Sequence, residues 1–203
     1  MNALGPYLDA DTVFVDVGSN VGWYTFHMAR THKVEAFEPF LKNLQLQNTT
    51  RCLHPDLAQR IRLHPFGLSN TTKHCALFQI PTVNHGDTHT ACDDSAKQAF
   101  RKNNYQKLGS SIVRRLDDVA GRRLMSARKV MKIDIEGHEY EMLLGARKFL
   151  CAPMAPVAIF MEMFQLGLKK QAAVDLLESC GYRVATANPN APDYLFVRDH
   201  VRS

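Results

Sequence analysis

Carboxylates lie near the ends of two apolar segments of this chain, where they could transfer a proton or bind a cation. Asp134 and Glu136 stand two residues apart at the end of the segment 129–135, and Glu162 lies in the segment 157–163. If strand geometry persists, residues two apart point to the same side, and paired carboxylates there are costly without a cation or a catalytic role. We therefore treat these three carboxylates as candidate catalytic residues.

Two further titratable residues, His138 and Glu139, follow Gly137. His138 could titrate near neutrality, which suits proton transfer, although a histidine at a helix start is as often structural. Glu139 is predicted to lie in the first turn of a helix, where the helix dipole favours a negative charge. We keep His138 among the catalytic candidates and interpret Glu139 as a helix-start residue.

A glycine-rich turn with the form D-x-G-x-N-x-G follows the alternating apolar residues 13–17. Gly18 lacks the Cβ that would keep a ligand away from the backbone, and Gly22 allows a tight entry into a helix with unpaired N–H groups. A dinucleotide site would need glycine where Asn20 and Trp23 stand, so a pyrophosphate site is disfavoured. The turn predicts a site for a different nucleotide-like molecule.

Glu38 ends the next apolar segment, 33–37, and is followed by a proline. It comes about 20 residues after Asp16, the interval expected for an acid that binds ribose hydroxyls in a β-α-β unit. We expect its carboxylate to accept both hydroxyls of an adenosyl group. The alternative is an exposed acidic residue at a strand end.

Strand and helix patterns alternate along the chain, which predicts an α/β fold. The predicted strands are 13–17, 33–37, 61–68, 74–80, 129–135, 157–163, 182–186 and 194–197, and the predicted helices are 24–30, 41–53, 138–150 and 169–180. This order predicts a doubly wound, mostly parallel sheet with helices on both faces. The last two strands have no helix between them, which predicts one antiparallel strand.

The segment 81–111 is polar and aperiodic, and we expect it to form a lid or an acceptor-binding insertion over the crevice. It contains His85, Asp87 and His89, which could offer nitrogen and oxygen ligands to a metal. Histidines four apart in an aperiodic loop usually have no such meaning, so we do not predict a metal site there.

Composition predicts one domain spanning residues 1–203, since the chain has 203 residues and 45% hydrophobic content. No apolar run is long enough to cross a bilayer, and the N-terminal residues do not resemble a signal peptide. The five cysteines are scattered without a C-x-x-C pair. We therefore expect reduced thiols and a soluble, cytoplasmic protein.

The formal charge of +5 could indicate an anionic partner. Basic residues are grouped in the pairs 114–115, 122–123 and 128–129, which could form one surface patch or a solvated face. We favour the solvated face. No RNA-binding module accompanies these pairs, so nucleic acid is not expected as a partner.

Taken together, D-V-G-S-N-V-G-W-Y-T, E-A-F-E-P, L-D-D, K-I-D-I-E-G-H-E with L-L-G-A, and F-M-E-M resemble the successive motifs of FkbM-type methyltransferases. The resemblance implies a class I, Rossmann-like methyltransferase domain with a seven-stranded sheet and S-adenosylmethionine as cofactor. It also implies O-methylation of a hydroxyl on a sugar, glycan or related small natural product. Similar sequences often carry other residues at position 138, which argues against a general catalytic role for His138.

The resemblance also assigns roles to individual residues. Asp134, Glu136 and Glu162 match the acidic positions over the active crevice. The candidate cofactor-binding residues are Asp16, Gly18, Ser19, Asn20, Gly22, Glu38, Phe66 and Gly67.

Methyl transfer to a hydroxyl requires close positioning of donor and acceptor and removal of the hydroxyl proton. Asp134 or Glu162 could be the base, or the pair could hold a divalent cation that lowers the pKa of the hydroxyl. Two other functions stay open, namely an RNA or protein methyltransferase and a non-catalytic S-adenosylmethionine-binding module.

Overall fold

The computed structural model describes residues 3–81, 88–187 and 193–198, which form two β-sheets with surrounding helices. The strands are β1 (Val13–Val17), β2 (Lys33–Phe37), β3 (Ile61–His64), β4 (Gly67–Leu68), β5 (Lys73–Gln79), β6 (His89–Ala91), β7 (Gln106–Arg114), β8 (Lys129–Ile133), β9 (Ala158–Glu162), β10 (Tyr182–Ala187) and β11 (Asp193–Arg198). The α-helices are α1 (Trp23–Ala29), α2 (Leu41–Leu53), α3 (Pro55–Ala58), α4 (Asp94–Lys102), α5 (Leu116–Val119), α6 (Arg122–Ser126), α7 (Glu139–Gly145), α8 (Arg147–Cys151) and α9 (Lys170–Ser179). Two short 3-10 helices cover Gly5–Tyr7 and Phe164–Lys169.

The larger sheet has seven strands in the order β10-β11-β9-β8-β1-β2-β3. Only β11 runs antiparallel to its neighbours, and all other pairs in this sheet are parallel. The predicted mostly parallel sheet with one antiparallel strand is therefore confirmed. In addition, β1 lies beside β8 with Asp16 opposite Lys132, so the loops that follow these two strands face each other.

Both faces of this sheet are covered, which explains why most residues of its central strands are apolar and buried. On one face Val15 and Val17 pack in a buried cluster with Leu143 of α7. On the other face Phe14 packs in a separate cluster with Met28 of α1. Alternate residues of β1 thus pack in the hydrophobic clusters on opposite faces of the sheet, which fixes the position of the strand from which the following loop extends.

The smaller sheet has the order β4-β7-β5-β6. The prediction that residues 81–111 are aperiodic is wrong for most of their described part, which contains β6, α4 and the first half of β7. These elements were hard to predict because α4 contributes few apolar side chains to the small hydrophobic cluster that it covers. One of them is Phe100, whose ring stacks on that of Phe78.

Two predicted elements are each divided. The predicted strand 61–68 is split between the two sheets as β3 and β4, and Pro65 between them lacks an amide hydrogen for a continuous ladder. The predicted helix 138–150 is broken at Ala146, between α7 and α8. A Cβ on the preceding residue, Gly145, would lie 1.9 Å from the carbonyl oxygen of Ser69, so this turn packs directly on the chain after β4.

The cysteines correct another prediction, because four of the five form disulfides. Cys75 is bonded to Cys92 and Cys151 to Cys180, whereas Cys52 is an exposed free thiol. The partners are 17 and 29 residues apart in sequence. The antiparallel pairing of β5 with β6 brings the first pair together, which the spacing of the cysteines did not reveal. Cysteine usage therefore gives no support to a cytoplasmic location.

None of the helices in the described ranges combines the length and the apolar character that crossing a bilayer would require.

Candidate active site

A crevice opens beside the ends of β1 and β8, at the edge of the sheet where ligands bind in open α/β folds. Six predicted site residues line it, namely Gly18, Ser19, Asn20, Glu38, Asp134 and Glu136. Sequence reasoning did not assign a role here to Trp23, Tyr24, Asn43, Thr88, Thr90 and Lys132, which also line the crevice. The two threonines belong to the segment 81–111, which was predicted to form a lid or an acceptor-binding insertion.

The glycine loop after β1 adopts a conformation that requires glycine at Gly18. The φ of this residue is +78°, and a Cβ there would lie 2.0 Å from the backbone carbonyl oxygen of Asp134. The absent side chain thus makes room for the neighbouring loop, a reason different from the ligand approach expected from the sequence. Asn20 also has a positive φ, of 52°, which asparagine tolerates better than most residues.

Glu38 is almost fully buried at the end of β2 and connects the glycine loop to α2. Its Oε2 accepts a hydrogen bond from the backbone N–H of Asn20 at 2.7 Å, and its Oε1 accepts one from Phe40 at 2.8 Å. Burial raises the pKa of this carboxyl group to about 7. Because both of its oxygens accept backbone hydrogen bonds, the carboxylate is held in a fixed orientation at the crevice.

Two amide side chains of α2 support the glycine loop and were missed. Asn43 donates to the side-chain oxygen of Asn20 at 3.2 Å, and Gln47 donates to the hydroxyl of Ser19 at 2.8 Å and to the carbonyl of Asn20 at 2.7 Å. Both are buried polar residues four apart on one helix face. That spacing is the one signal in the sequence that could have identified them.

Asp16 and Gly22 lie around the glycine loop without lining the crevice. Asp16 is fully buried, and its Oδ2 accepts a hydrogen bond from the hydroxyl of Thr25 at 2.7 Å. Gly22 has a φ of +91°, and a Cβ there would lie 2.5 Å from the ring of Phe26. These contacts indicate that both residues stabilise the conformation of the glycine loop and do not contact the crevice.

Phe66 and Gly67 lie further back. The ring of Phe66 packs edge-on against the rings of Phe37 and His64. Gly67 lines a small cavity behind Gly18, next to the crevice.

The chain after β8 leaves strand geometry at once. The backbone N–H of Asp134 still bonds to the carbonyl of Val17 at 3.1 Å, but Glu136 has a φ of 56° in the left-handed region. Strand geometry thus does not persist to Glu136, although Asp134 and Glu136 both line the crevice. The Glu136 carboxylate accepts a hydrogen bond from the side chain of Gln165.

Glu139 fixes this turn. Its side chain is buried, and Oε1 accepts hydrogen bonds from the backbone N–H groups of Ile135 at 2.9 Å and Gly137 at 3.3 Å. Burial raises the pKa of its carboxyl group. Glu139 is thus a helix-start residue, as expected, that also orders the loop carrying Asp134.

His138 is directed away from the crevice, into the small cavity behind Gly18. Its Nε2 lies 2.9 Å from the hydroxyl oxygen of Ser69. Burial lowers the pKa of the imidazole, with Glu141 acting in the opposite direction. This environment fits a neutral, structural histidine.

Glu162 lies at the end of β9, and the pairing of Ile133 with Met161 brings it beside Asp134. It is half-buried, and burial followed by the nearby charges of Asp134 and Glu136 raises its pKa to about 8. Within the part of the chain that the structure describes, its Oε2 has no hydrogen-bond partner. Its affinity for a proton is therefore far above that of an ordinary carboxylate.

Lys132 occupies the middle of the site and was not singled out from the sequence. Its Nζ donates to the carbonyl of Gly18 at 2.9 Å and lies 3.3 Å from Oδ2 of Asp134 and 3.6 Å from Oδ1 of Asp16. Its position beside these groups depends on the register of β1 and β8, which the sequence does not state.

Nothing in the described residues supports a metal centre. Across residues 3–81, 88–187 and 193–198, no group of three or more His, Cys, Asp or Glu side chains is arranged to hold an ion. His85 and Asp87 lie outside these ranges, and the ring of His89 packs against those of Phe100 and Tyr105.

Five of the six residues in the basic pairs contact other groups of the chain, and Arg122 is exposed. Arg115, Arg123 and Arg128 form ion pairs with Asp117, Glu35 and Asp9, respectively. Arg114 lies over the ring of Phe66, and the buried Lys129 donates to a backbone carbonyl. The three ion pairs thus involve three different acidic residues.

Comparisons with known proteins identify the family of the chain. A family model described as the Methyltransferase FkbM domain matches residues 16–184. A protein of Beauveria bassiana (strain ARSEF 2860) named Methyltransferase 1 is 27% identical over 207 residues, which cover 92% of this chain and 78% of that protein.

Two solved structures share the fold. The FkbM methyltransferase of Methylobacillus flagellatus KT aligns with a TM-score of 0.60 at 19% identity, covering 95% of this chain and 45% of that one. An rRNA methylase from Streptococcus thermophilus aligns with a TM-score of 0.51 at 14% identity, covering 96% of this chain and 90% of that one. The chain thus spans less than half the length of the Methylobacillus protein.

Proposed function

The chain belongs to the FkbM methyltransferase family, and we propose that it transfers a methyl group from S-adenosylmethionine to a hydroxyl of a sugar or related small natural product. The observation that carries this proposal is that the glycine loop, Glu38 and Asp134 line one crevice. A nucleoside-binding acid and a candidate catalytic carboxylate thereby share one site.

The residues present fit the cofactor. Oε1 of Glu38 receives the backbone N–H of Phe40 and the side-chain amide of Asn43, whereas Oε2 receives one backbone N–H and keeps a second lone pair that can accept a ribose hydroxyl. The glycine loop, held by Asn43 and Gln47, presents Ser19 and Asn20 to the same crevice. When bound, S-adenosylmethionine supplies a methyl group on a positively charged sulfur.

The carboxylates at the ends of β8 and β9 support removal of the hydroxyl proton, with Asp134 lining the crevice and Glu162 next to it outside the lining. We assign the role of base to Glu162, because a carboxyl group with a pKa of about 8 is a stronger base than an ordinary one and is poised near neutral pH. Asp134 lies beside it and lines the crevice, where it can accept a hydrogen bond from the acceptor hydroxyl. No step of this proposal uses a metal.

The rim of the crevice supports a hydroxylated acceptor. Trp23, which is 77% exposed, lines the crevice together with Thr88 and Thr90. An exposed aromatic ring in a crevice that is lined mostly by polar residues suits a sugar ring, which has apolar faces and polar edges. These three residues form the proposed acceptor end of the site.

A turnover assay tests the proposal. Purified protein is supplied with isotopically labelled S-adenosylmethionine and a panel of sugars, glycans and small alcohols, with an RNA and a protein substrate as comparison. We expect O-methylated product from at least one hydroxyl acceptor, with the same rate in the presence of a chelator. Transfer only to RNA or protein, or turnover that stops with chelator and returns with a divalent ion, would contradict it.

A further inference from the structure

Lys132 connects the two loops that form the crevice. In the parallel pairing of β1 with β8 it lies opposite Asp16, so both side chains extend from the same face of the sheet. The ammonium group lies within 3.6 Å of three oxygens, from Gly18, Asp134 and Asp16. An ammonium has three N–H groups, and three acceptors surround it here.

The contacts extend from Lys132 into α1. Asp16 accepts a hydrogen bond from Thr25, and the Lys132 ammonium lies 5.3 Å from the centre of the Tyr24 ring. Both Tyr24 and Thr25 belong to the first turn of this helix. One cation thus joins the end of β1, the start of α1 and the loop after β8.

The charge on Lys132 is retained despite its burial. Its side chain is only 7% exposed. Burial acts to lower its pKa, but the carboxylates of Asp16 and Asp134 outweigh this effect and the pKa is raised. Burying such a charge costs free energy, and its partners offset this cost only while they keep their positions.

We propose that Lys132 is a positioning residue of the methyl-transfer site, whose ammonium group holds the Gly18 carbonyl and the Asp134 carboxylate at the separation that the methyl donor needs. This inference rests on the proposed function, in which the crevice between these loops holds the donor. Without the ammonium group the two loops lose their shared partner, so the donor binds in a less defined place.

A purely structural role is the alternative, and charge-balanced variants separate the two. Lys132→Met leaves Asp16 buried without its cation and should lower the melting temperature. The double variant Asp16→Asn/Lys132→Met removes both charges and keeps an acceptor for the hydroxyl of Thr25, so it should recover much of this loss. Lys129→Met is the matched control, because Lys129 is a buried lysine at the other end of β8.

Trp23 provides the readout for donor binding, since it is the one tryptophan of the chain and lines the crevice. Its fluorescence is followed during titration with S-adenosylhomocysteine, alongside the donor KM and kcat. We expect the charge-balanced double variant to have a melting temperature near that of the wild type. It should bind S-adenosylhomocysteine roughly 10- to 100-fold more weakly and show a raised KM for the donor. Lys129→Met should bind like the wild type.

Recovery of wild-type donor affinity together with stability in the double variant would overturn the proposal, since Lys132 would then act through folding alone. Lys132→Arg adds a second measurement that keeps the charge. Its planar fork cannot present three N–H groups to the same three oxygens, so we expect a folded protein with weakened donor binding. Unchanged affinity in this variant would also count against the proposal. If the wild type itself shows no response to S-adenosylhomocysteine, the proposed function fails instead.

Discussion

The Glu38 carboxylate accepts a hydrogen bond from the backbone N–H of Asn20 at 2.7 Å, which joins the end of β2 to the glycine loop. Glu38, which is predicted to bind the ribose hydroxyls, therefore also holds the glycine loop in place. This contact fixes the loop and the acid relative to each other before any ligand arrives, so the crevice is largely preformed.

Glu38→Ala should weaken binding of S-adenosylhomocysteine by roughly 1.5–3 kcal/mol, the usual value of hydrogen bonds to a charged group. Calorimetry at pH 8 is the appropriate measurement, because the pKa of Glu38 is about 7 and the carboxylate is then ionised. Glu178→Ala, at an exposed position of α9, serves as control. Equal affinity of Glu38→Ala and wild type would remove Glu38 from the site.

Gly18→Ala should destabilise the protein and abolish donor binding. The added Cβ would meet the Asp134 carbonyl oxygen at 2.0 Å in a backbone conformation that alanine disfavours. Thermal unfolding and calorimetry measure both effects, with Gly5→Ala as control because a Cβ at Gly5 has no neighbour within 4 Å in the part of the chain that the structure describes. A variant that melts and binds like the wild type would contradict the loop packing described above.

Glu162 should govern the pH dependence of turnover. Its pKa is raised to about 8, so the basic form accumulates as pH rises through that value, and kcat/KM should rise with it. Glu162→Gln should lower turnover roughly 10²-fold or more and flatten this limb of the pH profile. Asp134→Asn tests the neighbouring carboxylate. Should Glu162→Gln keep the wild-type profile, the base is another group.

The Cys75–Cys92 disulfide should contribute to stability. Its partners are 17 residues apart, and the chain-entropy model gives about 3 kcal/mol for a loop of this size. The double variant Cys75→Ser/Cys92→Ser should therefore unfold at lower denaturant concentration.

A chemical measurement checks the disulfide assignment itself. Protein purified without reductant, then unfolded and alkylated, should be labelled at Cys52 alone. Alkylation at all five cysteines would show that the thiols are reduced, as the sequence first led us to expect.

The central strands and the helix α2 were predictable from local pattern. The segments 33–37 and 41–53 are observed with the bounds predicted, because a proline follows each of them within two residues, Pro39 and Pro55. The mostly parallel direction of the strands, with one antiparallel strand, followed from the alternation of strands and helices. These features depend on neighbours in sequence, and short-range physics decides them.

The rest of the site depends on contacts between distant residues. Lys132 acquires its role from the register that sets it opposite Asp16, and Glu136 leaves the strand because Gly137 and Glu139 turn the chain. Neither effect is visible in residue type or spacing. The smaller sheet was missed for a similar reason, since β6 has three residues and its pairing with β5 is long-range.

A crystal structure with S-adenosylhomocysteine tests the central claim most directly, namely that the crevice between the glycine loop and the Asp134 loop holds the methyl donor. We expect the ribose hydroxyls within hydrogen-bond distance of the Glu38 carboxylate and the sulfur directed toward Asp134 and Glu162. A ligand bound elsewhere on the protein, or in the crevice without contact to Glu38, would contradict it.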